Sequence, residues 1–169
     1  NHILLSSVDE TLIQHEKEFN LGIRSYGKVY EPRGHKYIVD FQFDKECTIE
    51  YRVGGMIFRK SMIFVKGKEQ LLIKYTLVQA HSQTSLRLKP FLAFREVHTL
   101  TQQNPTADTN YGIVDNGCSY KMYEGFPTLH LQLNKDAEYF HNPDWYKDVV
   151  YSDEQRRGFE YKEDLFVPG

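Results

Sequence analysis

The stretch CTIEYRVGGMIFRKSMIFV, residues 47–65, decides the fold. Cys47, Ile49, Tyr51 and Val53 alternate with Thr48, Glu50 and Arg52. A period of two sends alternate side chains to opposite faces of a strand, here one apolar and one polar. Gly54-Gly55 follows at once, and Met56 to Val65 forms a second apolar run. Two glycines between two such runs mark a two-residue hairpin, because its central positions take positive φ at little cost only in glycine. The segment therefore reads as two antiparallel strands.

The same pattern continues on both sides. Tyr37, Val39, Phe41 and Phe43 alternate with Ile38, Asp40 and Gln42 before the hairpin. After it come a turn at Lys66-Gly67-Lys68-Glu69, then Leu71, Ile73, Tyr75 and Leu77, then Leu86, Leu88, Leu92 and Phe94. Residues 36–95 are expected to form an antiparallel meander of about five strands, with no stretch of helical period. Near the start, Leu12–His15 and Phe19–Gly22 read as a hairpin turning through Glu16-Lys17-Glu18. Gly27 to Gly34 reads as a loop. Beyond Thr101 the chain becomes polar, with short strands expected at Ser119–Tyr123, around Leu129, Leu131 and Leu133, and at Ala137–Phe140.

One segment changes character halfway. LRLKPFLAFREVHTLTQQNP, residues 86–105, begins as an alternating strand and ends as a dense set of donors and acceptors. Pro90 lacks an N–H, so the strand is expected to be an edge, or bulged or broken there. A break would re-aim Arg95, Glu96, His98 and Asn104 away from the sheet. Arg95 and His98 could bind a polar ligand through forked donors. They could equally order the loop by bonding backbone carbonyls, and an Arg95–Glu96 ion pair would account for Glu96.

Composition narrows the function. Net charge is −2 over 169 residues, which gives no field that favours nucleic acid or an anionic membrane. No apolar run is long enough for a transmembrane helix, no secretory leader is visible, and the expected location is the cytoplasm. Cys47 and Cys118 are expected as free buried thiols rather than a disulfide. Tyr (12) and Phe (11) far outnumber Trp (1), which favours strands and suits sugar-facing surfaces, since a tyrosine offers an apolar face and a hydroxyl.

Catalytic motifs are scarce. The seven histidines show no metal-ligand spacing, so no metal is expected, and no phosphate loop or nucleophile elbow occurs. No cofactor is implied. Carboxylates are plentiful at Asp9-Glu10, Asp40, Glu96, Asp108, Asp144 and Glu163-Asp164, but a glycosidase needs two that face each other across a sugar. Sequence alone pairs none of them. Asp9-Glu10 reads as a turn or interface element. The tail from His141 mixes Trp145, Tyr146, Tyr151, Phe159, Tyr161 and Phe166 with charges and no clear period, which suits a surface lying against another domain. Trp145 would anchor such an interface or stack on a sugar.

Five segments carry a family resemblance: LLSSVDETL at 4–12, EPRGHKYIVDFQFD at 31–44, YRVGG at 51–55, RLKPFLAFREVHTLTQQNP at 87–105, and PDWYKDVVYSDEQRRGFEYKEDLFVPG at 143–169. Together they resemble the N-terminal domain of bacterial and archaeal glycogen debranching enzymes of the amylo-α-1,6-glucosidase type. The resemblance implies an all-β, two-sheet antiparallel supersandwich similar to galactose mutarotase, with few or no helices. It implies one β-sandwich domain over residues 1–169, cut from a longer chain whose C-terminal (α/α)6 barrel holds the catalytic acids and is absent here. The abrupt start at Asn1 agrees with a cut piece. The implied partners are that catalytic domain and a glycogen-like α-glucan. The implied role is non-catalytic: to brace the barrel and shape the glucan cleft, with Arg95, Glu96, His98, Asn104, Asp144, Trp145 and Tyr146 at the domain interface or cleft rim. Two rivals are a free-standing carbohydrate-binding module, which would bind maltooligosaccharides alone, and a mutarotase-like epimerase, which would need a His acid and a Glu base in one cleft.

Overall fold

The computed structural model describes residues 1–169. Fourteen strands follow in chain order. The first eight are β1 (His2–Gln14), β2 (Lys17–Asn20), β3 (Ile23–Ser25), β4 (Tyr30–Arg33), β5 (Ile38–Phe43), β6 (Cys47–Val53), β7 (Met56–Phe64) and β8 (Leu71–Gln79). Then come β9 (Ser85–Glu96), β10 (Gly112–Val114), β11 (Gly117–Tyr120), β12 (Leu129–Gln132), β13 (Asp144–Val150) and β14 (Lys162–Val167). One short helix, α1 (Ser152–Arg157), separates β13 from β14. With 54% strand and 6% helix the chain is all-β, as the alternation implied, and its strands pair antiparallel, among them β1–β2, β5–β6–β7–β8, β10–β11–β12 and β13–β14–β9. No helix is long and apolar enough to cross a membrane.

The chain forms two compact units. One comprises residues 1–9, 24–31 and 88–169; the other comprises 10–23 and 32–87. Strand β1 gives residues 2–9 to the first unit and 10–14 to the second, and β9 gives 85–87 to the second and 88–96 to the first.

In the second unit, β5 to β8 pair in sequence order. The Gly54-Gly55 turn takes φ +57° and +78° and sets Val53 opposite Met56, as the sequence predicts. Tyr51, Val53, Met56 and Phe58 bury one face of this sheet against Leu12 and Leu21. The turn between β1 and β2 is His15-Glu16, both at positive φ, one residue earlier than the charge run suggested. Register explains the shift: pairing Gln14 with Lys17 keeps Leu12 and Phe19 opposite each other.

In the first unit, β13, β14, β9 and β1 lie side by side in one sheet. Leu92, Phe94 and Phe166 from this sheet share a buried cluster with Cys118 and Tyr120 of β11. Leu129 and Leu131 of β12 pack against that cluster, so two sheets sandwich a core here. On the opposite face of the larger sheet, Phe91, Ala93, Leu165 and Val167 form a second cluster with Val149. Burial on both faces is why PFLAF and LFV read as continuous apolar runs rather than alternating ones.

Four local expectations are corrected. Strand β9 lies between β14 and β1 and does not extend the β5–β8 meander. It is neither an edge nor broken at Pro90, since it runs unbroken through Glu96. The tail, read as a surface segment too charged for a core strand, contains one, β14, in which Leu165, Phe166 and Val167 are core residues. Residues 137–140 form no strand. Both cysteines are free, Cys118 in the core and Cys47 half-buried. Burial pushes the Cys118 thiol up from its ordinary range.

Asp9 and Glu10 are also not turn residues. They sit mid-strand in β1 and are buried. Within the first unit, Asp9 accepts two hydrogen bonds from Arg24, at 2.7 and 2.6 Å, and the guanidinium lies 3.8 Å over the Phe91 ring. Burial opposes the Arg24 charge, yet Asp9 and Tyr26 together outweigh it and the guanidinium titrates above its ordinary value. Within the second unit, Glu10 pairs with Lys60 at 2.6 Å and accepts the Tyr75 hydroxyl at 2.7 Å.

Candidate functional site

The first unit carries a cleft of about 880 Å³. One wall is the chain that leaves β9, and the other is α1 with its flanks. The departure of β9 is set at Phe94, which takes φ +45° while its ring is buried. A left-handed backbone costs a large L-residue about 1–2 kcal/mol. Packing of Phe94 in the core and a 2.7 Å bond from the Thr101 hydroxyl to the Ala93 carbonyl hold it there. The re-aiming expected at Pro90 therefore occurs four residues later, and Arg95 is the first side chain it directs.

Arg95 Nε lies 2.6 Å from Oε1 of Glu163, a side chain with no exposed surface. The Nε–H is not aligned as a hydrogen bond, so this contact is ionic. Arg95 Nη1 donates to the carbonyls of Glu96 and Val97, each at 3.2 Å. Arg95 thus does not pair with the Glu96 carboxylate; its partner comes from β14. Glu163 also accepts the Thr101 amide at 3.2 Å and the Tyr151 hydroxyl at 2.5 Å. Burial, then the Glu163 hydrogen bond and charge, push the Tyr151 phenol up to about 12, which keeps it a donor. Glu163 is neutralised and fully engaged, so it is a structural anchor of the cleft and not a free base or nucleophile.

Helix α1 forms the far wall. Gly158 at φ +79° ends it, donating its N–H to the carbonyls of Gln155 and Glu154. Arg156–Asp153 and Arg157–Glu154 pair one turn apart on its exposed surface. The cleft therefore presents His98 and Thr99 on one side and Glu154, Arg157 and Phe159 on the other.

The other residues singled out in sequence lie elsewhere in this unit. Glu96 is exposed at the end of β9. Asn104 orders its own loop, donating to Gln102 O and the Tyr123 hydroxyl and accepting from Thr106. Asp144 accepts the amide of Trp145. Trp145 pairs with Phe166 across β13 and β14, their rings 5.5 Å apart. Tyr146 meets Phe91 edge-on at 5.0 Å, on the opposite face of the sheet. The structure thus brings Arg95 and His98 into one cleft and does not bring Trp145 or Tyr146 there. The aromatic side chains of the cleft are Tyr151 and Phe159. Glu163 went unsingled among many acids; its signal is two acids set directly before the apolar run Leu165-Phe166-Val167.

No match is found among curated proteins or among solved structures. A family profile described as glycogen debranching enzyme N terminal matches residues 1–169, the whole chain. It coincides with the five segments noted above and with the all-β fold they implied. The chain belongs to the glycogen debranching enzyme N-terminal family.

Proposed function

We propose that this chain is a non-catalytic domain that braces the catalytic domain of a glycogen debranching glycoside hydrolase and shapes the approach of its branched α-glucan. The observation that carries the bracing role is an uncovered apolar face in the second unit. On the core-facing side of β5 to β8, register places Tyr51 opposite Phe58, and two residues along, Ile49 opposite Lys60 and Lys60 opposite Tyr75. The next row on the same side is Phe43, Cys47, Met62 and Ile73, followed by Phe64 opposite Leu71. Leu12 and Leu21 cover the first rows. Phe43 and Phe64 are left 77% and 78% exposed. Covering each would contribute about 1.5–3 kcal/mol, and a contiguous apolar face of this kind marks a surface built to be covered. The family description supplies the occupant, since an N-terminal domain implies further chain of the same enzyme.

The cleft supports the second half of the role. In its walls His98, Glu154 and Arg157 offer hydrogen bonds to a passing polyhydroxyl chain. The setting is a cytoplasmic enzyme of glycogen breakdown. The test is glucose release from a branched dextrin by the enzyme that contains this domain. Phe43→Ser with Phe64→Ser is expected to lower the rate at least about tenfold through loss of domain contact. His98→Ala is expected to raise KM severalfold with little change in kcat. Unchanged kinetics in both variants would remove the reading.

A further inference from the structure

The first unit has a second concavity, of about 460 Å³, whose lining shares only Val150 with that of the Arg95 cleft. Its lining includes Tyr26, Lys28, Asp148, Gln155, Tyr161 and Lys162. Two features set it apart from ordinary surface relief.

The first is strained backbone. β13 bulges against β14: Tyr146 pairs with Leu165 and Val149 with Glu163, so Lys147 and Asp148 together oppose Asp164. Asp148 takes φ +57°. The buried carboxylate of Asp164 holds the bulge, accepting the Asp148 amide at 3.0 Å and the Gln103 amide at 2.9 Å. The Asp148 side chain meets only Lys162, at 3.2 Å, and both are largely exposed. An exposed ion pair does not offset left-handed backbone at a residue with a side chain. The conformation is over-determined by its surroundings and places an acid in the wall of a cavity.

The second is the wall chemistry. Tyr26 is seated against the Phe91–Leu165 cluster and begins a tight turn closed by a 2.7 Å bond from its amide to the Val29 carbonyl. Tyr161 is half-buried and donates no backbone mobility, because its carbonyl accepts the Tyr151 amide at 2.8 Å. A packed tyrosine, a half-buried one on an anchored backbone, a carboxylate, a carboxamide and two ammonium groups form a set suited to a neutral polyhydroxyl ring. Aromatic faces take the C–H surface of a sugar, and a carboxylate accepts from vicinal hydroxyls. Asp148 pairs with Lys162 and leaves Lys28 as the one cation of the lining without a carboxylate partner, fewer than a phosphate site gathers.

We infer that this cavity, with Asp148 and Tyr161 as its principal contacts, is a glucan-holding subsite separate from the Arg95 cleft. The ligand class, α-1,4-linked glucose units, rests on the debranching reading above.

The test is amide-resolved NMR titration of the whole chain with maltoheptaose. Binding is expected to shift the amides of Tyr26, Asp148 and Tyr161. Asp148→Gly, which tolerates the left-handed backbone, and Tyr161→Ala are each expected to weaken binding about tenfold. Asp148→Asn, which keeps shape and tolerates that backbone, separates loss of charge from loss of fold. The inference is overturned if maltoheptaose up to roughly 10 mM causes no shifts. Shifts confined to other residues, or an affinity unaltered by Asp148→Gly and Tyr161→Ala, overturn it as well. So does inorganic phosphate that shifts these amides where maltoheptaose does not. The bracing role is tested on the enzyme that carries the domain and requires no sugar affinity of this chain alone, so either reading can fail without the other.

Discussion

Arg95, in the wall of the cleft, meets Glu163 at 2.6 Å, the carboxylate wholly buried and the guanidinium nearly so. One comes from the end of β9 and the other from β14, so the contact ties the departing loop to the sheet. Breaking a buried pair by removing one charge leaves the other desolvated and costs about 3–5 kcal/mol. Glu163→Gln keeps the shape, removes the charge and turns one of the two oxygens that accept from Thr101 and Tyr151 into an amide donor. It is expected to lower unfolding free energy by about 3 kcal/mol in urea titration. A loss below about 1 kcal/mol would mean that Arg95 finds compensation in water.

Asp9 and Arg24 give an independent version of the same test. Their side chains are 5% and 7% exposed. Asp9→Asn is expected to destabilise by about 3–5 kcal/mol, because Arg24 would keep its charge over Phe91 without a counter-ion. Replacing both, as Asp9→Leu with Arg24→Met, is expected to recover most of that loss. Thermal unfolding of the single and double variants compares the two outcomes.

Tyr151 predicts an alkaline transition. Its phenol is raised from 10.0 to about 12, chiefly by burial and then by Glu163. The neutral form is the one the fold favours, so this contribution is fully present below pH 10 and is lost as pH rises from 10 towards 12. Stability measured across that window is expected to fall less steeply in Tyr151→Phe than in the parent chain. Tyr51, also raised to about 12 by burial and then by the Glu10 charge, contributes a second loss in the same window. An identical slope in Tyr151→Phe would show that the hydroxyl is not held in its neutral form.

Gly34 tests the packing of the second unit. A Cβ built there would lie 2.0 Å from the Leu21 carbonyl oxygen, and the Gly34 amide bonds the Gly22 carbonyl at 2.8 Å. The neighbour is backbone and cannot move aside without disturbing β2. Gly34→Ala is expected to cost at least about 3 kcal/mol, measured by urea unfolding. Gly67→Ala is a control with open space around its Cβ, and is expected to lose only about 1 kcal/mol to its left-handed backbone.

Legibility in the sequence followed the range of the interaction. The β6–β7 hairpin was plain because alternation and Gly54-Gly55 are local signals that agree. The partner of β9 was not: Leu92 opposite Phe166 joins residues far apart in the chain, and no local pattern records it. The positive φ at Phe94 was hidden because a bulky residue does not advertise left-handed backbone, and the bulge at Asp148 because an aspartate that tolerates it is one of many in the chain. Charge hid the core strand in the tail, because Glu163 and Asp164 stand directly before Leu165. Their partners, Arg95, Tyr151, Thr101, Gln103 and Asp148, are what allow them to be buried beside Leu165. For the candidate site, Arg95 and His98 were recognisable as the polar end of a strand, while Glu163 and Tyr151 became visible only through contact.

The bracing role is tested most directly by hydroxyl-radical footprinting of Phe43 and Phe64, in this chain alone and in the enzyme that contains it. Both rings are more than three-quarters exposed in this chain. The account predicts that their oxidation falls at least about fivefold in the enzyme, as a covered apolar face requires, while Phe159 in the cleft stays accessible to its glucan. Equal labelling of Phe43 and Phe64 in the two settings would contradict it.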